Sequence, residues 1–207
     1  AEIARVVVAC EDPDSRLQGT GIARLREAGL EVEIGLCADM AMAANAGFFT
    51  RVQSGRPLVS LKTATTSDGR IATRTGASQW ITGDAARAQA HLMRATHDAI
   101  AVGVGTVHTD DPSLTCRLPG MAGRSPVRVV FDTDLRMSPD AQLVTTASDT
   151  PTWIVAGADV DPDRRRALEA AGVQVLEVAR VGGHVDLHAA LVALGDAGVT
   201  RLMVEGG

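Results

Sequence analysis

The sequence predicts an α/β fold, a mostly parallel sheet with helices on its faces. Short runs rich in Val, Ile and Leu alternate along the chain with helix-like segments, which is the pattern of repeated β-α-β units. Several of the helical segments carry their own punctuation, an Asp at the start or a Gly just past the end. The composition, 45% hydrophobic and 22% charged over 207 residues, is that of a globular chain long enough for one large domain or a little more.

Taken in order, residues 6–10 read as a strand, 21–28 as a short helix closed by Gly29, 32–35 as a strand and 38–49 as one alanine-rich helix. Residues 51–57 are polar and contain Gly and Pro, which marks them as a linker. Residues 58–65 then alternate, with Leu58, Ser60, Lys62 and Ala64 on one face of a strand. Asp84 is placed to cap a helix running to Arg94. A strand over 98–102 leads into a loop rich in Gly and Asp over 103–115. Strands follow at 127–131 and 152–156. Asp161 opens a helix to Ala171 that Gly172 ends, and a strand at 173–178, a helix at 186–197 and a strand at 201–204 complete the pattern. The chain starts almost at once on a buried-strand run and stops on a strand followed by Gly206 and Gly207, so both ends of a longer protein are expected to lie outside it.

Composition also excludes classes of function. A net charge of −5, with no Tyr, three Phe and two Trp, offers neither a basic face nor stacking platforms for nucleic acid. No apolar run approaches the ~18–20 residues that span a bilayer. Cys10, Cys37 and Cys116 are odd in number and far apart, which suits the reducing cytoplasm. No metal site is expected. His184 and His188 have helical spacing but lack the Glu of a His-Glu-x-x-His motif, and read as the exposed start of a helix.

Ligands of open α/β sheets bind beyond the carboxyl ends of the strands. Five loops assigned to such ends carry the unusual residues: 62–70, 76–83, 102–112, 131–133 and 204–207. Gly103 and Gly105, followed by Thr106, would let the backbone approach a phosphate, although Val107 and His108 replace the third Gly of a dinucleotide fingerprint and a plain turn explains the loop equally well. Gly206 and Gly207 after a strand would aim backbone N–H groups at an anion, or simply turn the chain. Arg94 and Arg117 would clamp a phosphate or sit solvated. Lys62, in mid-strand, needs a partner, and Glu205 at another strand end is available. Trp80 either packs a helix end or covers a flat ring. These residues together describe a phosphate-bearing ligand at the strand ends of an α/β enzyme.

The motifs resemble a known family. Arg56-Pro57-Leu58-Val59-Ser60-Leu61-Lys62, Ser67-Asp68-Gly69-Arg70, Ser78-Gln79-Trp80-Ile81-Thr82-Gly83, Arg94, Asp98-Ala99-Ile100-Ala101-Val102-Gly103-Val104-Gly105-Thr106, Asp110-Asp111-Pro112-Ser113-Leu114-Thr115 and Glu205-Gly206-Gly207 are similar, in order, to the reductase domain of the bifunctional riboflavin-biosynthesis deaminase/reductase. The resemblance covers residues 56–207 and implies a dihydrofolate-reductase-like fold. It implies NADPH-dependent reduction of 5-amino-6-(5-phosphoribosylamino)uracil to the ribitylamino compound. Residues 1–50 resemble the tail of the family's deaminase domain, a cytidine-deaminase-like α/β domain, on Arg5-Val6-Val7-Val8-Ala9-Cys10-Glu11-Asp12-Pro13, Gly21-Ile22-Ala23-Arg24-Leu25 and Asn45-Ala46-Gly47-Phe48-Phe49. The zinc ligands of that domain would lie upstream of residue 1, and Cys10 and Cys37 do not match them. The implied division is a deaminase-like tail at 1–50, a linker at 51–57 and a reductase domain at 58–207 whose C-terminus is incomplete.

By the same resemblance, Ala64, Trp80, Thr106, Asp110, Thr133, Gly206 and Gly207 match cofactor-contacting positions. Ser78, Arg94, Leu114, Arg117 and Glu205 match the substrate pocket, with the arginines on the 5′-phosphate, and Lys62 matches a lysine near the ribose. Lys62 and Glu205 are therefore the expected catalytic pair. The expected partners are the phosphorylated pyrimidine substrate and further copies of the chain in a homo-oligomer, with no nucleic acid and no membrane. Two alternatives stay open: a non-catalytic nucleotide-binding or assembly module, and a dihydrofolate-reductase-like enzyme acting on a pterin.

Overall fold

A computed structural model describes residues 3–17, 19–76, 78 and 80–206. The elements in chain order are β1 (Arg5–Val8), α1 (Thr20–Glu27), β2 (Glu31–Ile34), α2 (Ala38–Ala44), α3 (Ala46–Ser54), β3 (Leu58–Lys62), α4 (Asp84–Ala95), β4 (Ala99–Gly103), α5 (Val104–Asp110), β5 (Val127–Phe131), α6 (Gln142–Thr145), β6 (Thr152–Gly157), α7 (Pro162–Ala170), β7 (Gln174–Val178), β8 (Arg180–Val181), β9 (His184–Val185), α8 (Leu187–Asp196) and β10 (Arg201–Glu205). The main sheet has six parallel strands in the order β3-β10-β4-β5-β6-β7. The expected mostly parallel sheet with flanking helices is therefore present. A complete cytidine-deaminase-like domain is not in this chain: among the described residues, β1 and β2 pair only with each other, in a separate two-stranded parallel sheet.

Burial explains the strand order. Ala99, Ile100, Ala101 and Val102 are all buried, so β4 must be covered on both faces and lie inside the sheet. The pleat divides these side chains. Ile100 and Val102 join Val130, Ile154 and Met203 in one core, together with Leu143, Leu168 and Val107 from the helices. Ala99 and Ala101 join Val129, Val155 and Leu202 in a second core that Ala190 and Leu194 of α8 cover. At the outer edge, β3 turns Ser60 and Lys62 inward and leaves Leu61 70% exposed.

Several expectations need correction. The helix over 38–49 is two helices. Asn45 leaves the helical conformation (φ −103°, ψ 16°), and its amide and side chain both donate to the Ala41 carbonyl (3.1 and 2.9 Å), closing α2 there. The first four residues of the expected linker form the last turn of α3, which Gly55 closes at φ 68°. The strand over 58–65 ends at Lys62. Gly83, not Asp84, caps α4. Part of the loop over 103–115 is helical: Val104 and Val107, one turn apart and both buried, dock α5 on the core. The loop over 76–83 leads into α4 and does not leave a strand directly. His184 lies in β9 and His188 in α8, because Asp186 intervenes as the N-cap and accepts from the His188 and Ala189 amides. The Asp161 cap and the left-handed Gly29 and Gly172 stand as expected.

Close approaches fix α3 to the sheet. A Cβ on Gly47 would meet the Thr200 carbonyl oxygen at 2.8 Å. One on Gly195 would overlap the Gly55 carbonyl, beside a hydrogen bond that Arg51 Nε donates to the Gly195 carbonyl (2.6 Å). Among the described residues, no helix is long and apolar enough to cross a membrane.

Candidate active site

Strand β10 enters the sheet between β3 and β4, and its register sets Glu205 directly opposite Lys62. Lys62 Nζ donates to Glu205 Oε1 (3.1 Å). From α4, Arg94 Nη2 donates to both carboxylate oxygens (3.1 and 3.0 Å), while its Nη1 donates to the Thr115 carbonyl (3.0 Å). Arg94 is only 9% exposed, and its Nε is buried without a partner among the described residues. Burial pushes the Glu205 carboxyl up, but the Arg94 guanidinium and the Lys62 ammonium beside it outweigh that effect and hold it below the usual carboxylate range. Glu205 is thus a fixed anion, and it aims Lys62 at the space above the strand ends.

That space is a cavity of about 320 Å³. Lys62 and Ala64 reach it from the end of β3, Glu205 and Gly206 from β10, and Thr106 and Asp110 from α5. Ser78 and Trp80 contribute from the loop before α4, Arg94 from α4, and Leu114 and Arg117 from the loop after α5. The fold therefore gathers these eleven sequence-predicted residues at one cavity. Thr133 is not among them; it lines a neighbouring cleft. Gly207 lies outside the described residues.

Local backbone shapes the walls. Asp111 (φ 37°) and Leu114 (φ 53°) adopt left-handed conformations that cost energy for non-glycine residues, and the 3% exposed Leu114 side chain anchors the loop carrying Arg117. A Cβ on Gly206 would stand 3.2 Å from Thr106 Oγ1, so the glycine keeps this rim narrow and open. The Arg94 guanidinium is already committed to Glu205 and Thr115, whereas the exposed Arg117 guanidinium donates to Ser113 Oγ.

Sequence reasoning missed Arg87 and His91. Both line the cavity, and with Arg94 they follow the i, i+4, i+7 spacing that puts three side chains on one helix face; that spacing was the available signal. The Arg87 guanidinium carbon stacks 4.5 Å from the centre of the Trp80 ring, while its nitrogens hold the Thr82 carbonyl and Asp84. His91 Nδ1 accepts from the Arg117 amide (3.3 Å). Burial, then the Arg94 and Arg117 charges, push the His91 ring below its ordinary pKa and keep it neutral.

A nicotinamide dinucleotide fits these surroundings. The cavity joins an exposed aromatic ring, a glycine rim at a strand end and a fixed cation–anion pair. Zinc does not: among the described residues, no group of three or more His, Cys, Asp or Glu side chains could hold a metal.

Comparison with known proteins agrees. The model of the RibD C-terminal domain family matches residues 57–207. This chain belongs to that family. The resemblance of residues 56–207 to the reductase domain is borne out. Across its full length the chain is similar to the riboflavin biosynthesis protein RibD of Bacillus amyloliquefaciens, with 44% identity over 99% of this chain and 54% of that protein. It is 35% identical to the Escherichia coli RibD over 100% of this chain and 58% of that protein. Acinetobacter baumannii RibD superposes with a TM-score of 0.84 at 34% identity, covering 99% of this chain and 55% of that one. A Thermotoga maritima diaminohydroxyphosphoribosylaminopyrimidine deaminase/5-amino-6-(5-phosphoribosylamino)uracil reductase superposes at 0.81 with 31% identity, over 99% and 54%. The chain thus spans about half the length of the RibD proteins it matches.

Proposed function

We propose that this member of the RibD C-terminal domain family is the reductase part of a bifunctional riboflavin-biosynthesis enzyme. It would reduce the ribosyl group of 5-amino-6-(5-phosphoribosylamino)uracil to the ribityl group with NADPH. The observation that carries this reading is the Lys62–Glu205–Arg94 cluster on the joined ends of β3 and β10, inside the cavity that also gathers five expected cofactor positions, Ala64, Trp80, Thr106, Asp110 and Gly206.

The ring-opened ribosylamino group presents an electrophilic C1′, as imine or carbonyl. The reduced nicotinamide, when bound, supplies the hydride that forms the new C–H bond there. The C1′ π pair then moves onto the adjoining nitrogen or oxygen, which takes a proton. Lys62 spends one of its three donors on Glu205 and presents the others to the atom where charge develops. Glu205, locked by Arg94, keeps Lys62 in place and faces the ribose hydroxyls. Ser78 and Leu114 shape the substrate pocket, and Arg117 on its exposed loop meets the 5′-phosphate with Arg94 behind it. Ala64, Trp80, Thr106, Asp110 and Gly206 hold the cofactor, with Thr133 at its far end. By the resemblance to the reductase domain, Gly207 matches the start of the loop that would meet the pyrophosphate.

In the same reading, residues 1–50 are the tail of a deaminase-like domain, 51–57 join it to the reductase at 58–207, and zinc-dependent deamination belongs to an upstream part of the longer protein. The T. maritima protein, named for both activities and superposing over 99% of this chain, supports this division. Three free cysteines suit the cytoplasm, and the exposed Met40 and Leu61 suit a homo-oligomer.

The test is oxidation of NADPH with the phosphoribosylaminouracil as acceptor. Lys62→Ala should lower kcat by at least roughly 100-fold with the fold retained. Full turnover by that variant removes the role of Lys62. No oxidation by the unaltered protein removes the reductase reading in favour of a nucleotide-binding module. Turnover only with a pterin favours the other enzyme class.

A further inference from the structure

Arg117 stands on backbone that no regular element supports: residues 111–117 form neither helix nor strand. A side chain on such a segment keeps a fixed place only if its own residue is tied down. Leu114 is buried in the core, and Arg94 Nη1 donates to the Thr115 carbonyl. The Cys116 amide donates to Ser125 Oγ (3.1 Å), and the Cys116 thiol donates to the His91 carbonyl (3.4 Å). The Arg117 amide itself donates to His91 Nδ1 (3.3 Å). That last contact reaches the residue that carries the guanidinium, and it comes from a cavity-lining side chain that the reaction outlined above does not use.

The bond requires one state of the ring. Nδ1 accepts only when it carries no proton, so His91 must be neutral with its hydrogen on Nε2. Its surroundings favour that state. Burial, then the Arg94 and Arg117 charges, push its pKa down, and the Thr115 carbonyl and Glu205 oppose them by less. The placement on α4 matters as much as the bond. His91 lies one turn before Arg94, and both line the cavity. One face of a single helix therefore grips Glu205 through Arg94 and the Arg117 backbone through His91. A rigid element fixes the span between the Lys62–Glu205 pair and the arginine on the irregular segment.

We propose that His91 is a positioning residue for the substrate: by accepting the Arg117 amide it holds that arginine at a set distance from Lys62 and Glu205, so that a phosphate seated on Arg117 brings C1′ to the reacting end. This rests on the reductase reading above, with Arg117 on the 5′-phosphate. His91 acts through Arg117 and not on the reacting atoms, so its removal weakens the grip on the phosphorylated substrate and spares a substrate without the phosphate.

Steady-state reduction tests it. His91→Ala should raise KM for the phosphorylated substrate roughly three- to tenfold, the worth of one neutral hydrogen bond, and leave KM for NADPH within about twofold. His91→Asn, whose Oδ1 stands where Nδ1 stood, should recover most of that loss, and His91→Gln, whose acceptor lies one bond further out, should not. With the dephosphorylated substrate, His91→Ala and the unaltered protein should share one KM. In a protein already carrying Arg117→Ala, His91→Ala should add less than about twofold. An equal effect of His91→Ala on both substrates, an unchanged KM for the phosphorylated one, or effects of the two replacements that simply multiply overturns the proposal. If His91→Ala does not fold, equal behaviour of His91→Asn and His91→Gln overturns it. Apart from turnover, ribitol 5-phosphate should bind the unaltered protein and bind His91→Gln roughly three- to tenfold more weakly. No binding, or equal binding to both proteins, overturns the proposal. Weakened binding by His91→Gln of a protein that oxidises no NADPH upholds the His91–Arg117 coupling and refutes the reductase reading instead.

Discussion

Replacing Glu205 by glutamine removes the carboxylate that Lys62 and Arg94 share while keeping its size. At 3.0 Å and an effective dielectric of about 20, each partner's gross attraction is ~5.5 kcal/mol, most of which desolvation of the three ions offsets. Removing one member of a buried pair typically costs about 3–5 kcal/mol, because the remaining charge is stranded. Here the side chains are 24% (Lys62), 11% (Arg94) and 18% (Glu205) exposed, which places the cost near the lower end, about 3 kcal/mol. For a chain of this size that lowers Tm by roughly 6–12 °C. The pH dependence carries a sign. Since the Glu205 carboxyl is held below its ordinary range in the fold, its contribution is complete above the unfolded value of ~4.3 and is lost as pH falls through the lower folded value. The stability gap between Glu205→Gln and the unaltered protein should therefore be full at neutral pH and narrow in acid. Thermal melts across that range measure both features. A Tm at neutral pH that Glu205→Gln leaves unchanged, or a gap that widens in acid, would refute the account of this cluster as a stabilising ion network.

Two further outcomes follow from the packing. Gly195→Ala adds a good helix former worth about 1 kcal/mol, but its Cβ overlaps the Gly55 carbonyl, and overpacking costs about 1–3 kcal/mol, so the denaturant midpoint should fall; a rise would show that α3 and α8 are not held so close. Asp98 Oδ2 accepts from the Thr200 amide (2.7 Å), the Thr200 hydroxyl (2.6 Å) and the Arg201 amide (3.0 Å), pinning the entry to β10. Burial raises its pKa, the Thr200 and Arg201 hydrogen bonds lower it by more, and the side chain is exposed enough that Asp98→Asn should cost only about 1 kcal/mol. That cost is present above ~3.9 and disappears as pH falls through the lower folded value; urea titrations giving equal stability for both proteins at neutral pH would contradict it.

Much of the fold was legible along the chain because helix and strand are encoded by short-range patterns. The strand Val127–Phe131 has its predicted bounds, Asp161 opens its helix as expected, and Gly29 and Gly172 take their left-handed turns. The ordered motifs were enough for the family, and the need of a mid-strand lysine for a counter-charge was enough to pair Lys62 with Glu205. Other features depend on distant parts of the chain. The apolar Val104 and Val107 pull α5 out of a stretch whose glycines and aspartates read as loop. Arg94 reads locally as a surface cation, and becomes a buried clasp only when Glu205 arrives from 111 residues away. That arrival depends on β10 lying between β3 and β4, because Leu202 and Met203, like Ala99–Val102, are buried on both faces and take inner positions, while β3, with Val59 and Leu61 exposed, takes the edge. The same assembly leaves Thr133 in a second cleft with Arg136. Local periodicity and capping name the elements, while burial of the sheet's two faces sets which strands adjoin, and adjacency is what makes the site.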